Sequence, residues 1–351
     1  MYDSLHYYLS CSRQKYRMSF QLGDSDPLIH QLDSTGINEE DEKPIKQVNQ
    51  YNLVWKIGFG SFAKVYLGVD KHTNKQYAIK RFKIHDLQHL DGGVSQLERE
   101  IKTMRAIQHP HILHLHEVLH VVETDVAYLV LDYCNCGSLQ HLLDIKAPIS
   151  MPEIKYIFKS IASAIYSLHK SRTVHQDIKP SNILLCSDGR VYLADFGLGH
   201  SFQSATMVVG SPAYQAPEAL GEGELQPNPP KEDVWSLGIT LYQTLFKTLP
   251  YTGENVYEIV QNAYHKPLFI PPETTPEITN LLHGMLSISP SERLSIDEVL
   301  QSPFFKDTHD INHFNFSVIH PPPIDKNRRI HHIDAISCGP DYKFKRPNLT
   351  T

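Results

Sequence analysis

The most constraining feature of the 351-residue chain is a pair of polar motifs near its middle, VHQDIKPSN at residues 174–182 and ADFG at residues 194–197. Between them they supply two carboxylates, a lysine and a side-chain amide, in Asp177, Lys179, Asn182 and Asp195. Phosphoryl transfer needs such a set, because the reaction depends on positioned charge around a phosphate and on a carboxylate that accepts the proton of the attacking hydroxyl. The fold must therefore bring these side chains to one site.

Other motifs stand in a fixed order around this pair. The sequence IGFGSFAKV at residues 57–65 predicts a strand, a glycine turn and a returning strand, and AIK follows at residues 78–80. After the central pair come GSPAYQAPE at residues 210–218 and EDVWS at residues 232–236. A single three-residue match would be weak evidence, whereas several motifs in one order are specific. The chain resembles the eukaryotic protein kinases over about residues 51–305.

The resemblance implies a role for each motif residue. Asp177 would be the catalytic base, Lys179 would neutralise charge on the transferred phosphate, and Asn182 and Asp195 would hold Mg²⁺. ATP would lie between the glycine-rich loop, the segment joining two lobes and the floor of a cleft. The residues implied in binding it are Ile57, Gly58, Gly60, Val65, Ala78, Lys80, Glu100, Leu131, Asp132, Cys134 and Leu184.

Two glutamates, Glu98 and Glu100, compete for the role of partner to the phosphate-gripping Lys80. Residues two apart on a helix point to different faces. Glu100 adjoins an apolar stripe that begins at Ile101, and it stands at the family's usual distance before the His-Pro pair at residues 109–110. We predict that Glu100 pairs with Lys80 and that Glu98 is a solvated surface charge.

Four further residues are expected to support the site without reacting. The resemblance implies that Glu218 forms a buried ion pair with Arg293 and that Asp233 braces the backbone of the catalytic loop. In the same pattern His175 supports the backbone, so we interpret it as structural. Histidine otherwise often acts as a catalytic acid or base.

Periodicity divides the chain into segments. Residues 1–50 are polar with little pattern and are predicted to form a flexible extension. Residues 51–131 show alternating strands interrupted by one helix, residues 132–136 would form a hinge, and helical stripes dominate residues 137–305. The predicted fold class is α+β, a bilobal kinase-like fold with a small β-rich N-lobe and a larger helical C-lobe. Residues 306–351 are predicted to be a tail that is either extended or docked along the domain, without a fold of its own.

The pattern also indicates the acceptor. Lys179 and Ser211 resemble the serine/threonine kinases, which disfavours tyrosine specificity but leaves a dual preference open. A closer resemblance to the liver kinase B group rests on YCNCG at residues 133–137, GSPAYQ at residues 210–215 and PYTGENVY at residues 250–257. Kinases of that group act upstream of AMP-activated kinase and its relatives by phosphorylating their activation loops. A pseudokinase and a scaffold protein switch them on, and the resemblance implies such partners here.

Gln176 adds a regulatory expectation, because most of the family carries arginine at this position. That arginine would pair with a phosphate on the activation segment, and glutamine has no charge with which to do so. We therefore predict that Ser201, Ser204 and Thr206 are not obligatory activating phosphosites.

Composition excludes some classes and leaves others open. The formal net charge is −6 with no strongly basic block, which argues against sequence-independent nucleic-acid binding. No apolar run approaches the roughly 20 residues of a membrane span, and we expect a cytoplasmic protein, with a nuclear location also open. A pseudokinase scaffold and a small-molecule phosphotransferase remain as alternatives. Loss of Lys80, Asp177, Asn182 or Asp195 would favour the scaffold, and none is lost.

Overall fold

The computed structural model describes residues 45–59, 63–90, 92–195, 212–220, 227–320 and 329–344. Eight of its strands form one sheet in the order β10-β5-β6-β4-β3-β2-β1-β9. Neighbouring strands are antiparallel except for the parallel pair β1 and β9. The strands are β1 Ile45–Val48, β2 Tyr51–Phe59, β3 Ala63–Asp70, β4 Gln76–Lys83, β5 Leu115–Val121, β6 Val126–Asp132, β9 Ile330–Ile333 and β10 Ile336–Ser337.

Two helices interrupt this sheet between β4 and β5, α1 Ile84–Gln88 and α2 Gly93–Ala106. The apolar residues of α2 recur every three or four positions, which buries one face of the helix against the sheet. Among the buried residues of that face are Leu97, Ile101 and Met104. This face carries Glu100 into the interior of the N-lobe.

The C-lobe is mainly helical. Its helices are α3 Leu139–Asp144, α4 Met151–Lys170, α5 Pro229–Phe246, α6 Val256–His265, α7 Pro276–Met285 and α8 Ile296–Leu300. The longest, α4, begins with a capping box in which Ser150 and Glu153 exchange bonds with each other's backbone N–H groups. A small antiparallel sheet, β7 Ile183–Leu185 and β8 Val191–Leu193, lies next to α4 and frames the central motifs. The predicted α+β bilobal fold is confirmed.

The sheet extends beyond the predicted N-lobe. Residues 45–48 form β1, which lies within the segment predicted as a flexible extension. Ile45 and Val48 are apolar and buried, but lysine and glutamine separate them in a largely polar stretch, so the sequence shows no strand pattern there. The strands β9 and β10 come from the predicted tail and were not expected either.

The tail docks first on the C-lobe. Phe314 donates its N–H to Ser187 O over 3.0 Å, and Ile319 donates to Asn135 O over 2.7 Å. Gly189 makes this docking possible, because it adopts φ +84° and a Cβ there would lie 1.9 Å from Ile311 O. Across the described ranges, no helix is long and apolar enough to cross a bilayer.

Candidate active site

The catalytic loop, residues 175–179, is held by a carboxylate from α5. Asp233 is fully buried, and its two oxygens accept the backbone N–H groups of His175 over 2.9 Å and Gln176 over 2.7 Å. A third bond comes from His169 Nε2 at 2.9 Å. Gln176 adopts φ +64°, a region that L residues rarely enter, so these bonds stabilise a strained turn. The predicted bracing role of Asp233 is confirmed.

His175 is buried and uses both ring nitrogens. Nε2 donates to Ala194 O over 3.0 Å, since a carbonyl can only accept, and Nδ1 accepts the N–H of Asp177 over 3.2 Å. Burial lowers the pKa of His175, which favours this neutral form. The imidazole thus joins the catalytic loop to the residue before Asp195, as expected for a structural histidine.

Asp177 lies in a polar cluster with the two other predicted residues of its motif. Lys179 Nζ donates to Asp177 Oδ1 over 2.8 Å, and Asn182 Nδ2 donates to Asp177 Oδ2 over 2.9 Å. Asn182 Nδ2 also reaches the carbonyl of Asp177 at 2.8 Å. These bonds commit the nitrogen of the Asn182 amide to Asp177, so the amide oxygen is the atom that remains for a cation.

Lys80 on β4 is the basic centre of the N-lobe side of the site. Its Nζ lies 3.7 Å from Glu100 Oε1 and also contacts Asp195 Oδ1. Burial acts to lower the pKa of Lys80, but the Asp195 and Glu100 carboxylates together raise it above its usual value. Lys80 lies closer to Asp195 than to Glu100, and its charge lowers the pKa of Asp195. Burial raises the pKa of Glu100 to about 7. The ion pair of Lys80 with Asp195 is therefore the stronger one, and the ion pair with Glu100 is the weaker.

The residues predicted for the adenine pocket come from facing strands. Ala78 on β4 lies directly across from Leu131 on β6, and Val65 on β3 lies across from Lys80. Leu184 lies on β7 in the C-lobe and is partly buried, like Val65 and Ala78. Such half-buried apolar side chains can enclose a flat ring without closing the cleft.

The hinge begins at Asp132, the last residue of β6. The Asp132 carboxylate accepts a 2.7 Å bond from His116 Nε2, so this side chain faces the N-lobe strand β5. Cys134 is buried, and a hydrogen bond with Cys186 and burial raise the pKa of its thiol. The thiol therefore stays protonated at neutral pH and behaves as an apolar lining group.

The glycine-rich loop is described only in part. Ile57 and Gly58 lie at the end of β2, with Gly58 across from Val65, while Gly60 lies outside the described residues. A Cβ at Gly58 would lie 3.7 Å from Val65 Cβ, which is an ordinary contact. The protein's own packing thus does not require glycine here. A ligand that approaches the backbone closely, as a phosphate does, would require it.

A protein kinase domain matches residues 51–305. The chain belongs to the protein kinase family. Serine/threonine-protein kinase STK11 of Homo sapiens is 32% identical over 298 residues, covering 81% of this chain and 67% of that kinase. The Xenopus laevis protein of that name is 33% identical over 313 residues, 86% of this chain and 72% of its own length. Serine/threonine protein kinase OSK3 of Oryza sativa subsp. indica is 34% identical over 265 residues, 74% of this chain and 51% of OSK3.

The kinase is an ATP-dependent serine/threonine protein kinase that resembles the liver kinase B protein STK11 and acts on protein substrates. The donor set fits the Mg²⁺ that this family uses, because the Asn182 amide and the Asp195 carboxylate offer the oxygen ligands that this hard cation prefers. When bound, Mg²⁺ neutralises charge on the phosphates of ATP. Lys80 would bind the phosphates, and Lys179 would add positive charge beside Asp177.

The chemistry that falls to the protein is proton acceptance and positioning. Asp177 would take the proton of the substrate hydroxyl on a carboxylate oxygen, while Lys179 and Asn182 hold that carboxylate in place. The segment that follows the activation loop is anchored to α5, since Ser236 Oγ donates to Tyr214 O over 2.8 Å and Tyr214 OH donates to Gln243 Oε1 over 2.7 Å. Ser211 lies outside the described residues.

The prediction for Glu98 was wrong. Its side chain is only 8% exposed, and Lys343 and Phe344 of the C-terminal tail bind it. Helical periodicity shows only that Glu98 and Glu100 point in different directions. It contains no signal for a segment some 245 residues later in the chain that covers the outer face.

Proposed function

We propose that this kinase is an upstream kinase that phosphorylates serine or threonine in the activation loops of other kinases, with AMP-activated kinase and its relatives as the model substrates. A pseudokinase and a scaffold protein would hold it in its active conformation, and it would work in the cytoplasm, with access to the nucleus. The likeness to the STK11 kinases of vertebrates supports this proposal.

Gln176 is the observation that carries the regulatory part. Its backbone is fixed by Asp233 while its side chain is exposed and uncharged. A kinase that needs a phosphate on its own activation loop requires a cation at this position to bind the phosphate. With glutamine at this position, a protein partner is the simpler means of ordering the activation loop.

The decisive experiment is phosphate transfer from Mg²⁺-ATP onto a peptide array that includes kinase activation loops. We expect phosphoserine and phosphothreonine products with a preference for activation-loop peptides. The matched control is Asp195→Ala, which should abolish transfer because it removes a carboxylate that holds Mg²⁺. Equal labelling of unrelated peptides would contradict the upstream role. ATP binding without any transfer, even after addition of pseudokinase and scaffold, would favour a scaffold function.

Regulation gives a separate prediction. Replacing Ser201, Ser204 and Thr206 together with alanine should change kcat/KM by no more than about twofold, because the proposal requires a phosphate on none of them. The three residues lie outside the described residues. The measurement compares this triple variant with the unmodified kinase under identical partner concentrations.

Gln176→Arg tests the same regulatory proposal from the opposite direction. The introduced arginine would create a phosphate site, so phosphorylation of the activation segment should begin to affect activity. If the triple alanine variant instead loses its activity while its melting curve is unchanged, phosphorylation is required and the regulatory proposal fails.

A further inference from the structure

The C-terminal tail joins the two ends of the N-lobe sheet. β9 adds a parallel strand beside β1 at one end, and β10 adds an antiparallel strand beside β5 at the other. Ala335 between them exchanges two 2.9 Å hydrogen bonds with the side chain of Asn49. After β10, Cys338 donates its N–H to Val118 O over 2.8 Å, and the chain then reaches α2. The tail thus arrives at the helix that carries Glu100.

Glu98 on α2 binds the end of this tail. Its Oε1 accepts the backbone N–H of Phe344 over 3.1 Å, and its Oε2 accepts a bond from Lys343 Nζ over 3.2 Å. The bond from the Phe344 N–H has a charged acceptor that is only 8% exposed, which makes it stronger than an ordinary surface hydrogen bond. The Lys343 side chain is 73% exposed, so its ion pair with Glu98 contributes less.

Arg105 binds the tail at the other end of the helix. Its Nη1 donates to Gly339 O over 2.8 Å, and its Nη2 contacts Cys338 O. Arg105 and Glu98 are seven residues apart, which is about two helical turns, so they lie on one face. The tail therefore runs antiparallel to α2 along this face.

Aromatic packing fixes the tail between these two polar contacts. Phe344 is 3% exposed, and its ring lies 5.2 Å from that of His120 and 5.5 Å from that of Tyr342. The Tyr342 hydroxyl is 2.6 Å from His120 Nδ1. Burial of this size is typical of a specific docking contact and not of a loosely lying terminus.

The opposite face of α2 is the one that needs support. Glu100 is buried, its Oε1 is 3.7 Å from Lys80, and its Oε2 has no hydrogen-bond partner among the described residues. A buried polar atom without a partner costs free energy, which would be recovered if α2 moved outward into water. The N-cap residue of α2 is Gly92, which has no side chain with which to cap the helix. The helix therefore depends on tertiary contacts for its position.

We propose that residues 338–344 form a positioning element for phosphoryl transfer, which holds α2 in the orientation that brings Glu100 to Lys80. Glu98 is then a positioning residue, and it acts through the helix without touching ATP or the protein substrate. Because this role depends only on the kinase activity of the family and not on the substrate proposed above, any peptide that the kinase phosphorylates can serve as the acceptor.

Glu98→Ala in the full chain is the test. Loss of the two hydrogen bonds to the Glu98 carboxylate should let α2 move outward, so that Glu100 leaves Lys80. The KM for ATP should then rise about tenfold or more. Amide hydrogen exchange should accelerate in α2 and stay unchanged in α4. Glu98→Gln keeps an acceptor for the Phe344 N–H and should recover most of the affinity. Glu123→Ala removes the same side chain from an exposed turn of the N-lobe and should have no effect.

A different pattern would overturn the proposal. If Glu98→Ala lowers the melting temperature but leaves the KM for ATP and the exchange of α2 as in the unmodified kinase, the tail is only a structural brace. If Glu98→Ala does not fold, Phe344→Leu offers a milder change, since it keeps the backbone N–H and reduces the ring contacts. The proposal requires that Phe344→Leu also raise the KM for ATP. An unchanged KM would again mean that the tail is only a structural brace.

Discussion

Asp177→Asn is expected to lower kcat by about 10²- to 10⁴-fold, the usual contribution of a general base. Asparagine preserves the size of the side chain and one oxygen, but it cannot accept the proton of the substrate hydroxyl and carries no charge to complement Lys179. The KM for ATP should change little, because the backbone carbonyl of residue 177 and the remaining side-chain oxygen can still accept the bonds from Asn182, which is expected to hold Mg²⁺. The measurement is steady-state phosphorylation of the best peptide, with ATP and peptide varied separately.

The control for that substitution is Asp188→Asn. Asp188 is half exposed in the turn between β7 and β8, where its carboxylate accepts a 2.8 Å bond from Arg190 Nε. It therefore matches Asp177 in chemistry and in having a cationic partner, but not in location. Its kcat should stay at the unmodified value. If Asp177→Asn retained more than about a tenth of the activity, another group would have to accept the proton.

The central site could be predicted well because its contacts are encoded in short motifs. His175, Asp177 and Asn182 lie close together in the chain, within residues 175–182, and their mutual bonds follow from that spacing. Lys80 and Asp195 come from distant segments, but each stands in a motif of its own. The motif order therefore predicted which side chains should meet, and the structure places Lys80 in contact with both Asp195 and Glu100.

The tail could not be predicted because its strands have no pattern of their own. β9 has the sequence IHHI with largely exposed residues, and β10 has only two residues, both exposed. Such short segments form strands only because the open edges of the sheet offer unpaired backbone groups. The partners of β9 lie some 285 residues earlier in the chain. The tail residues that bind Glu98 lie about 245 residues after it, so no neighbouring part of the sequence indicates that Glu98 is covered.

Glu218→Ala is expected to reduce the free energy of unfolding by about 3–5 kcal/mol, the cost of breaking a buried ion pair from one side. Arg293 Nη1 donates to Glu218 Oε1 over 2.7 Å and Nη2 donates to Glu218 Oε2 over 3.1 Å. Neither side chain has any exposed surface. Alanine would leave the guanidinium buried without its counter-ion. For a domain of this size the change corresponds to a fall in Tm of about 6–20 °C, measurable by calorimetry.

A double variant separates the ion pair from simple loss of packing. Arg293 also donates to the carbonyls of Ser287 and Lys231, and its guanidinium lies 5.0 Å from the ring of Trp235, so part of its charge is already solvated by the protein. Glu218→Ala with Arg293→Met removes both charges and fills most of the volume, so it should recover part of the stability lost in Glu218→Ala alone. If the double variant is less stable by the sum of both single losses, the two residues act independently. An unchanged melting curve for Glu218→Ala would mean that the carbonyls alone compensate the arginine.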